Sequence, residues 1–342
     1  MKRATIRELA AQAEVSVSTV NRVLGGASNV SPATIERVRD AAAAIGFYGL
    51  RSIEGRIAAA RTRYRFGFLL QQPTRPFYRI LGDALKAGAE RVKDADVVVK
   101  VDFLEELAPQ NIAARMLALA TECDAVGVVA AVHPLVNQTV EVLQERGVPV
   151  FALISQLAAT GHVHYVGLDN WKVGRTAAWT VHHVCKRPGK LGILVGNHRY
   201  RCQEMNESGF RSYFREYAPE FTLLEPLTTF ESSTVAQDLT EQLQREHSDL
   251  AGLYVAGGGI TGALAALRGS HQAGQVAVIA HDLFDSTRSG LLDGILTLVI
   301  SHPLTRLADE TISGMIKAVN SKAESTNYTS VLPFDLYTRE NI

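Results

Sequence analysis

TIRELAAQAEVSVSTVNRVL, residues 5–24, carries two helical patterns separated by three residues. Thr5 and Glu8 have the spacing of a capping box, in which a hydroxyl and a carboxylate each satisfy an orphan amide of the first turn. Ile6, Leu9, Ala10 and Ala13 then fall on one helical face. After Glu14, Val15 and Ser16, the Ser16 hydroxyl is placed to cap a second helix whose inner face is Val20, Val23 and Leu24. Two short helices joined by a tight turn form either an αα-hairpin buried in a core or a helix-turn-helix, whose second helix enters the DNA major groove. The outward residues of that second helix are Val17, Ser18, Asn21 and Arg22.

The flanking sequence favours the DNA-reading alternative. Ser31 and Pro32 supply an N-cap and a first helical residue, Ile35, Val38, Ala42 and Ile45 recur at helical spacing, and Gly46 ends the pattern. The 342-residue chain has no net charge. Its first 65 residues nevertheless hold eleven Lys and Arg against five acids, and the remainder carries the compensating acidic excess. A small basic head on an acidic body is expected when only the head meets phosphate.

Cys123, Cys185 and Cys202 are odd in number and far apart, so neither a disulfide framework nor a metal-ligand spacing is present. The start, MKRATIREL, has no apolar targeting segment, and no apolar run approaches a membrane span. A cytoplasmic protein is expected, without membrane contact, metal or cofactor.

Residues 5–46 resemble the head of the lactose-repressor (LacI/GalR) family of transcription regulators. The match lies in Thr5, Ile6, Leu9 and Ala10, in Ala13, Val15, Ser16 and Ser18 to Val20, in Arg22 to Leu24, and in Val30, Ser31, Thr34 and Val38. The resemblance implies that Val17 and Ser18 read bases at the start of the recognition helix. It also implies that Arg22 reaches a guanine or a phosphate, and that Thr5, Ser16, Thr19, Asn21 and Asn29 bond backbone or base edges. Hydroxyls and amides at helix starts grip phosphates, an Arg bonds guanine bidentately, and Val17 offers apolar contact to a thymine methyl. In the family a connector then forms a minor-groove helix with an apolar wedge. Its usual Tyr-x-Pro-Asn start is absent, as Phe47 and Tyr48 are followed by Gly49, Leu50 and Arg51, and counting onward puts Ile57 at the wedge. The expected divisions are a three-helix head over 1–46, a connector over 47–63 and an effector-binding and dimerisation domain over 64–342.

From Phe66 onward, short apolar strands alternate with helical stretches. FGFLL (66–70), VVVKV (97–101), AVGVVAAV (125–132), VPVFAL (148–153), HYVGL (164–168), LGILVG (191–196), LAGLYVA (250–256), VAVIAHD (276–282) and LTLVI (297–301) read as buried parallel strands. This alternation implies a doubly wound α/β architecture, and its length suits two lobes. Phe77 and Tyr78 after Pro76, the GVPV at 147–150, the VGLDN at 166–170, Gly174, Arg175, Gly209, Phe210 and Asp282 resemble the same family's periplasmic-binding-protein-like effector domain. The chain is thus expected to be multi-domain, an all-α helix-turn-helix head before a two-lobed α/β body of doubly wound parallel sheets. Crossings between lobes are expected near 165, 293 and 323.

Ligands in such sheets lie at the carboxyl ends of strands. This nominates Phe77, Tyr78 and Trp171 for stacking on a sugar ring, Ser155, Gln156 and Arg201 for polar contacts, and Asp282 for accepting hydroxyl hydrogen bonds. His302 stands where many relatives carry Gln. Asn206 replaces a family Arg, and Ala256 with Gly257 replaces an Asn-Asp pair; Arg199, Arg201 and Gln203 are near enough to substitute. The expected protein is a homodimeric repressor of operator DNA, not an enzyme, switched by a small sugar-like effector.

Two other readings compete. GGGITG at 257–262 matches G-x-G-x-x-G, follows a strand, opens a helix and precedes Asp282 by about twenty residues, the pattern of a NAD-dependent oxidoreductase. Its late position and the basic head argue against it. A transport-type solute-binding protein would explain the body but not the head. No nucleophile elbow or H-E-x-x-H occurs, and His182 with His183 lies mid-helix.

Overall fold

The computed structural model describes residues 4–26, 30–159, 163–270, 274–321 and 328–342, with the side chains of 32 and 56–60 outside the description. The chain divides into two compact units, 1–63 with 92–96 and 64–91 with 97–342.

In the first unit, α1 (Ile6–Gln12) opens on the capping box: the Thr5 amide donates to Glu8 Oε2 at 2.7 Å and the Glu8 amide to Thr5 Oγ1 at 3.3 Å. Glu14 takes a left-handed backbone (φ 53°) in the turn, and α2 (Val17–Gly25) follows. The Ser16 hydroxyl caps α2 by accepting from the Thr19 amide at 3.1 Å, and Gly26 ends it at φ 75°. Ser31 caps α3 (Pro32–Ala44) in the same manner. Leu9, Val20, Val38 and Ala42 are fully buried and form one core.

The connector corrects the expected boundary. It forms α4 (Leu50–Ala60), and both Phe47 and Ile53 are buried in the head core with Leu9 and Val20. The chain turns over 45–49, Leu50 opens α4, and the apolar Ile53 one turn in has a hydrophobic surface to cover. The head therefore does not stop at 46: the first turns of the connector are part of it.

The second unit is α/β throughout. Its first lobe contains β1 (Thr62–Leu70), α5 (Pro76–Glu90), β2 (Ala95–Phe103), α6 (Pro109–Ala120), β3 (Ala125–Val128), α7 (Pro134–Glu145), β4 (Val150–Leu153) and β5 (His164–Leu168). The chain then enters the second lobe with α8 (Asn170–Val184), β6 (Lys190–Val195), α9 (Arg201–Tyr217), β7 (Thr222–Leu223) and β8 (Leu227–Thr228). That lobe continues through α10 (Ser233–Glu246), β9 (Leu250–Val255), α11 (Ile260–Arg268), β10 (Ala277–His281), α12 (Asp285–Leu292) and β11 (Leu298–Ser301). α13 (Leu304–Asn320) and β12 (Thr329–Leu332) return to the first lobe, and β13 (Asp335–Tyr337) ends in the second.

Among the described residues, one sheet runs β12-β5-β4-β3-β1-β2 and the other β13-β11-β10-β9-β6-β7, with β8 also on β6. The registered pairs are parallel except β11 with β13, which is antiparallel. Because β5 and β12 pair in the first sheet and β11 in the second, the crossings follow Leu168, Ser301 and Leu332. The expected positions near 165 and 293 fall a few residues early, since an apolar strand can close either sheet and only pairing decides which. The third, expected near 323, is also early, because β12 pairs with β5 of the first sheet before β13 joins the second. β2 also differs from the buried strand expected: it is an edge strand with alternating burial, and Val98 is exposed.

Candidate effector site and DNA-reading helix

Ser16, Val17, Ser18, Asn21 and Arg22 are exposed along α2, while Val20 and Val23 on its opposite side are buried. Val17 is 41% exposed, although it is apolar and the core lies within reach of the same helix. Thr19 is half-buried, and the Ser16 hydroxyl lies 2.8 Å from both the Thr19 and Ser18 hydroxyls. Thr5 is exposed but engaged in the cap of α1. Asn29 lies outside the described residues, and of Ile57 only the helical backbone is described.

In the body, a cavity of about 530 Å³ lies where the carboxyl ends of the strands of both lobes meet. From the first lobe, Phe77 and Tyr78 enter it from the first turn of α5, their rings edge to face at 5.1 Å. From the second come Asn206 on α9, Asp282 after β10 and His302 after β11, with Phe77 and His302 rings 5.7 Å apart.

Asp282 and His302 form a rigid pair. Asp282 Oδ1 accepts from the His302 backbone amide at 3.0 Å and lies 2.8 Å from its Nδ1. Since a carboxylate only accepts, Nδ1 carries the proton. Burial alone would raise the Asp282 carboxyl, but the His302 ring and its hydrogen bonds hold it below the ordinary value. Asp282 also sits at φ 61°, a left-handed backbone that Asp tolerates better than most residues. Its Oδ1 is thus already engaged, which leaves Oδ2 as the acceptor toward the cavity. The adjacent His281 bonds the Tyr254 hydroxyl at 2.9 Å, and burial pushes its ring down to about 4.

Among the described residues, two atoms of this wall have no partner: Asn206 Oδ1 and His302 Nε2, on residues 4% and 7% exposed. A buried polar atom left unpaired costs about 1–3 kcal/mol. Both residues line the cavity, so a hydroxyl-bearing ligand would remove that cost.

Arg75, Glu231 and Gln203 also line the cavity and link the lobes. Arg75 Nη1 donates to Glu231 Oε2 at 2.7 Å, and its Nη2 to the Glu231 carbonyl at 2.8 Å. Gln203 Nε2 donates to Glu231 Oε1 at 2.6 Å, while its own Oε1 accepts from the Gly196 and Asn197 amides. Gln203 was within the group expected to substitute for the missing Arg. Arg75 could have been found from its place beyond β1, whereas Glu231, in the turn after a two-residue strand and at φ 63°, carries no sequence signal.

Four expected ligand contacts do not line the cavity. Ser155 is buried, and its hydroxyl accepts from the Cys202 amide of the opposite lobe at 3.4 Å. Gln156 and Arg201 are exposed. Trp171 is 37% exposed on the first turn of α8. A Cβ at Gly209 would overlap the Trp171 carbonyl, and one at Gly174 the Asn206 carbonyl, so α8 and α9 cross backbone to backbone and Trp171 is held at that crossing.

The 257–262 glycines are likewise accounted for by packing. Gly259 sits at φ 107°, and a Cβ at Gly262 would overlap the Ser233 carbonyl where α10 and α11 cross. Among the described residues no cluster of His, Cys, Asp and Glu could hold a metal, and no helix is long and apolar enough to cross a membrane.

Two family profiles match the chain. The profile of bacterial regulatory proteins of the lacI family covers residues 5–49, and that of the periplasmic binding protein domain covers 66–323. The chain belongs to the LacI family of regulators. No curated protein gives a significant match. Solved structures resemble the body of this LacI-family chain at low identity. A solute-binding protein from Agrobacterium vitis bound to α-D-tagatopyranose is 17% identical with a TM-score of 0.73, covering 81% of this chain and 95% of its own. One from Actinobacillus succinogenes with D-allose is 18% identical with a TM-score of 0.72, covering 81% and 98%. GanP, a glucose-galactose binding protein from Geobacillus stearothermophilus, is 14% identical with a TM-score of 0.74, covering 82% and 99%. The body of this LacI-family chain therefore shares the fold of these solute- and sugar-binding proteins.

Proposed function

We propose that this LacI-family chain is a cytoplasmic, homodimeric transcriptional repressor whose operator affinity is switched by a small sugar-like ligand held between the lobes. The observation that carries the ligand half is the cavity wall: aromatic Phe77 and Tyr78 on one lobe, and unpaired Asn206 Oδ1 and His302 Nε2 on the other. Aromatic faces with a few convergent polar groups suit a ring with an apolar face and a hydroxylated rim. The sugars bound by proteins of the same fold are consistent with this. The exposed polar face of α2 supports the DNA half, with Thr5, Ser16, Val17, Ser18, Thr19, Asn21, Arg22, Asn29 and Ile57 as the contacts toward operator DNA.

The switch is one of linkage. A ligand changes DNA affinity only through its unequal affinity for the closed and open arrangements of the lobes. Two heads on a near-palindrome supply the specificity that one small head lacks. Selection of duplexes from a random library, followed by gel shift with and without a sugar panel, tests the proposal. The expected result is one preferred near-palindrome whose complex responds to at least one sugar. Failure to enrich any duplex would remove the regulator reading.

A further inference from the structure

The Arg75–Glu231 pair sets the charge on one side of the cleft. Arg75 is the cation on the cavity wall that is independent of His protonation, and all its described hydrogen bonds go to protein acceptors: Glu231 Oε2, the Glu231 carbonyl and Gln71 Oε1. Side-chain exposure of the pair is only 18% and 7%. The Glu231 carboxylate is built in rather than adventitious. A Cβ at Gly196 or at Gly258 would overlap its oxygens, so two glycines clear its place, and Gln203 holds its second oxygen.

Among the described residues the remaining wall has no spare positive charge to offer an anion. Asp282 is negative, with His302 donating to it, and His281 is neutral above about pH 4 because it is buried. An incoming phosphate or carboxylate would face Glu231 and Asp282 across a partly desolvated space. To reach Arg75 it would have to displace Glu231 and leave that carboxylate buried without its partner, which is the costly way to break an ion pair. A neutral hydroxylated ring meets no such obstacle, and it satisfies Asn206 Oδ1 and His302 Nε2.

We infer that the ligand of this cleft is an uncharged polyhydroxylated ring, and that Glu231, by occupying Arg75, is the residue that excludes phosphorylated and acidic sugars. The inference rests on the reading of the cleft as the effector site. Its test is thermal shift and calorimetry on the full chain with matched probes: neutral aldoses and ketoses, their 6-phosphates, and the corresponding uronates. The wild type is expected to bind at least one neutral sugar and to bind its phosphate and uronate counterparts at least a hundredfold more weakly. Glu231→Gln keeps the side-chain shape and frees the Arg75 charge, so this discrimination should shrink at least tenfold. Arg75→Gln leaves Glu231 unopposed and should widen it. Equal binding of charged and neutral counterparts by the wild type, or unchanged discrimination in Glu231→Gln, overturns the inference. If Glu231→Gln does not fold, Arg75→Gln decides, and narrowed discrimination there overturns it. If no probe of any class binds while a selected duplex still does, the effector reading fails and takes this inference with it, leaving the DNA-binding half standing.

Discussion

Replacing Ile53 by Ala tests whether the connector helix belongs to the head. The side chain is fully buried among Leu9, Val20, Val38 and Phe47, so truncation removes apolar area and leaves a cavity. Ile→Ala changes at such sites cost about 2–5 kcal/mol. A head of some sixty residues has of order 3–9 kcal/mol to lose, so a loss of about 3 kcal/mol would consume much of it. Hydrogen exchange on the full chain reads this locally. Amides of α1, α2 and α3 that exchange through unfolding of the head should lose roughly a hundredfold of their protection, since every 1.4 kcal/mol is tenfold. Amides of β3, β4, β9 and β10 should keep theirs. Arg51, exposed two residues earlier on the same helix, is the control: its replacement by Ala should change little. If α1–α3 protection were the same in Ile53→Ala as in Arg51→Ala, α4 would not be part of the head core and the boundary near 46 would stand.

Arg22→Ala should weaken binding to a selected operator by about 1–3 kcal/mol and relax sequence preference at one position; gel shifts on single-base variants check both, and an unchanged preference removes Arg22 as a base reader. Asp282→Asn keeps a residue that tolerates the left-handed backbone but removes the negative acceptor, so ligand response should be lost while ligand-free operator binding is retained; a normal response would place the ligand elsewhere. His281 titrates from about 6.5 in the unfolded chain to about 4 in the folded one. The unfolded state therefore binds more protons in that window, and stability is full above it and falls as pH is lowered through it. Melting curves should show this fall, and His281→Gln should flatten it; an identical slope in the variant refutes the assignment. Gly209→Ala forces a Cβ into the Trp171 carbonyl where α8 and α9 cross, and by the usual cost of overpacking should destabilise the body by about 1–3 kcal/mol, read as a lower melting temperature.

Much of this fold was legible because its signals are local. Thr5 with Glu8, Ser16 and Ser31 mark helix starts through hydrogen bonds to amides only two or three residues away, and each cap forms where the residues predict it. The apolar runs at 66–70, 191–196 and 276–282 became strands because a buried strand must be apolar on both faces. What escaped depends on distant partners. The lobe crossings are set by which sheet β5, β11 and β12 join, and Trp171 is kept off the cavity by a helix crossing between Gly174 and Gly209. Glu231 is placed by Arg75, 156 positions earlier in the chain. Ile53 escaped because the connector was read for a wedge at Ile57, whereas the burial of Ile53 depends on Leu9 and Val20, far earlier in the chain.

Those distant partners share a feature that bears on switching. Ile154, Glu231 and Asp282 all line the cavity and all take left-handed backbones, at φ 66°, 63° and 61°. For a β-branched Ile and a Glu this conformation costs roughly 1–3 kcal/mol each, so something must hold it. The Ile154 carbonyl accepts from the Tyr165 hydroxyl, and its amide donates to Val166, both on β5 of its own lobe. Glu231 is held by Arg75 of the opposite lobe, and Asp282 by His302 at the start of the crossing back. One of these constraints thus bridges the two lobes, and another lies where the chain crosses between them. Parting the lobes would break the Arg75–Glu231 pair but release the Glu231 backbone, so loss and relief oppose each other. Opposing terms of similar size keep the difference between two arrangements within a few kcal/mol, which is the range a ligand satisfying Asn206 and His302 can tip.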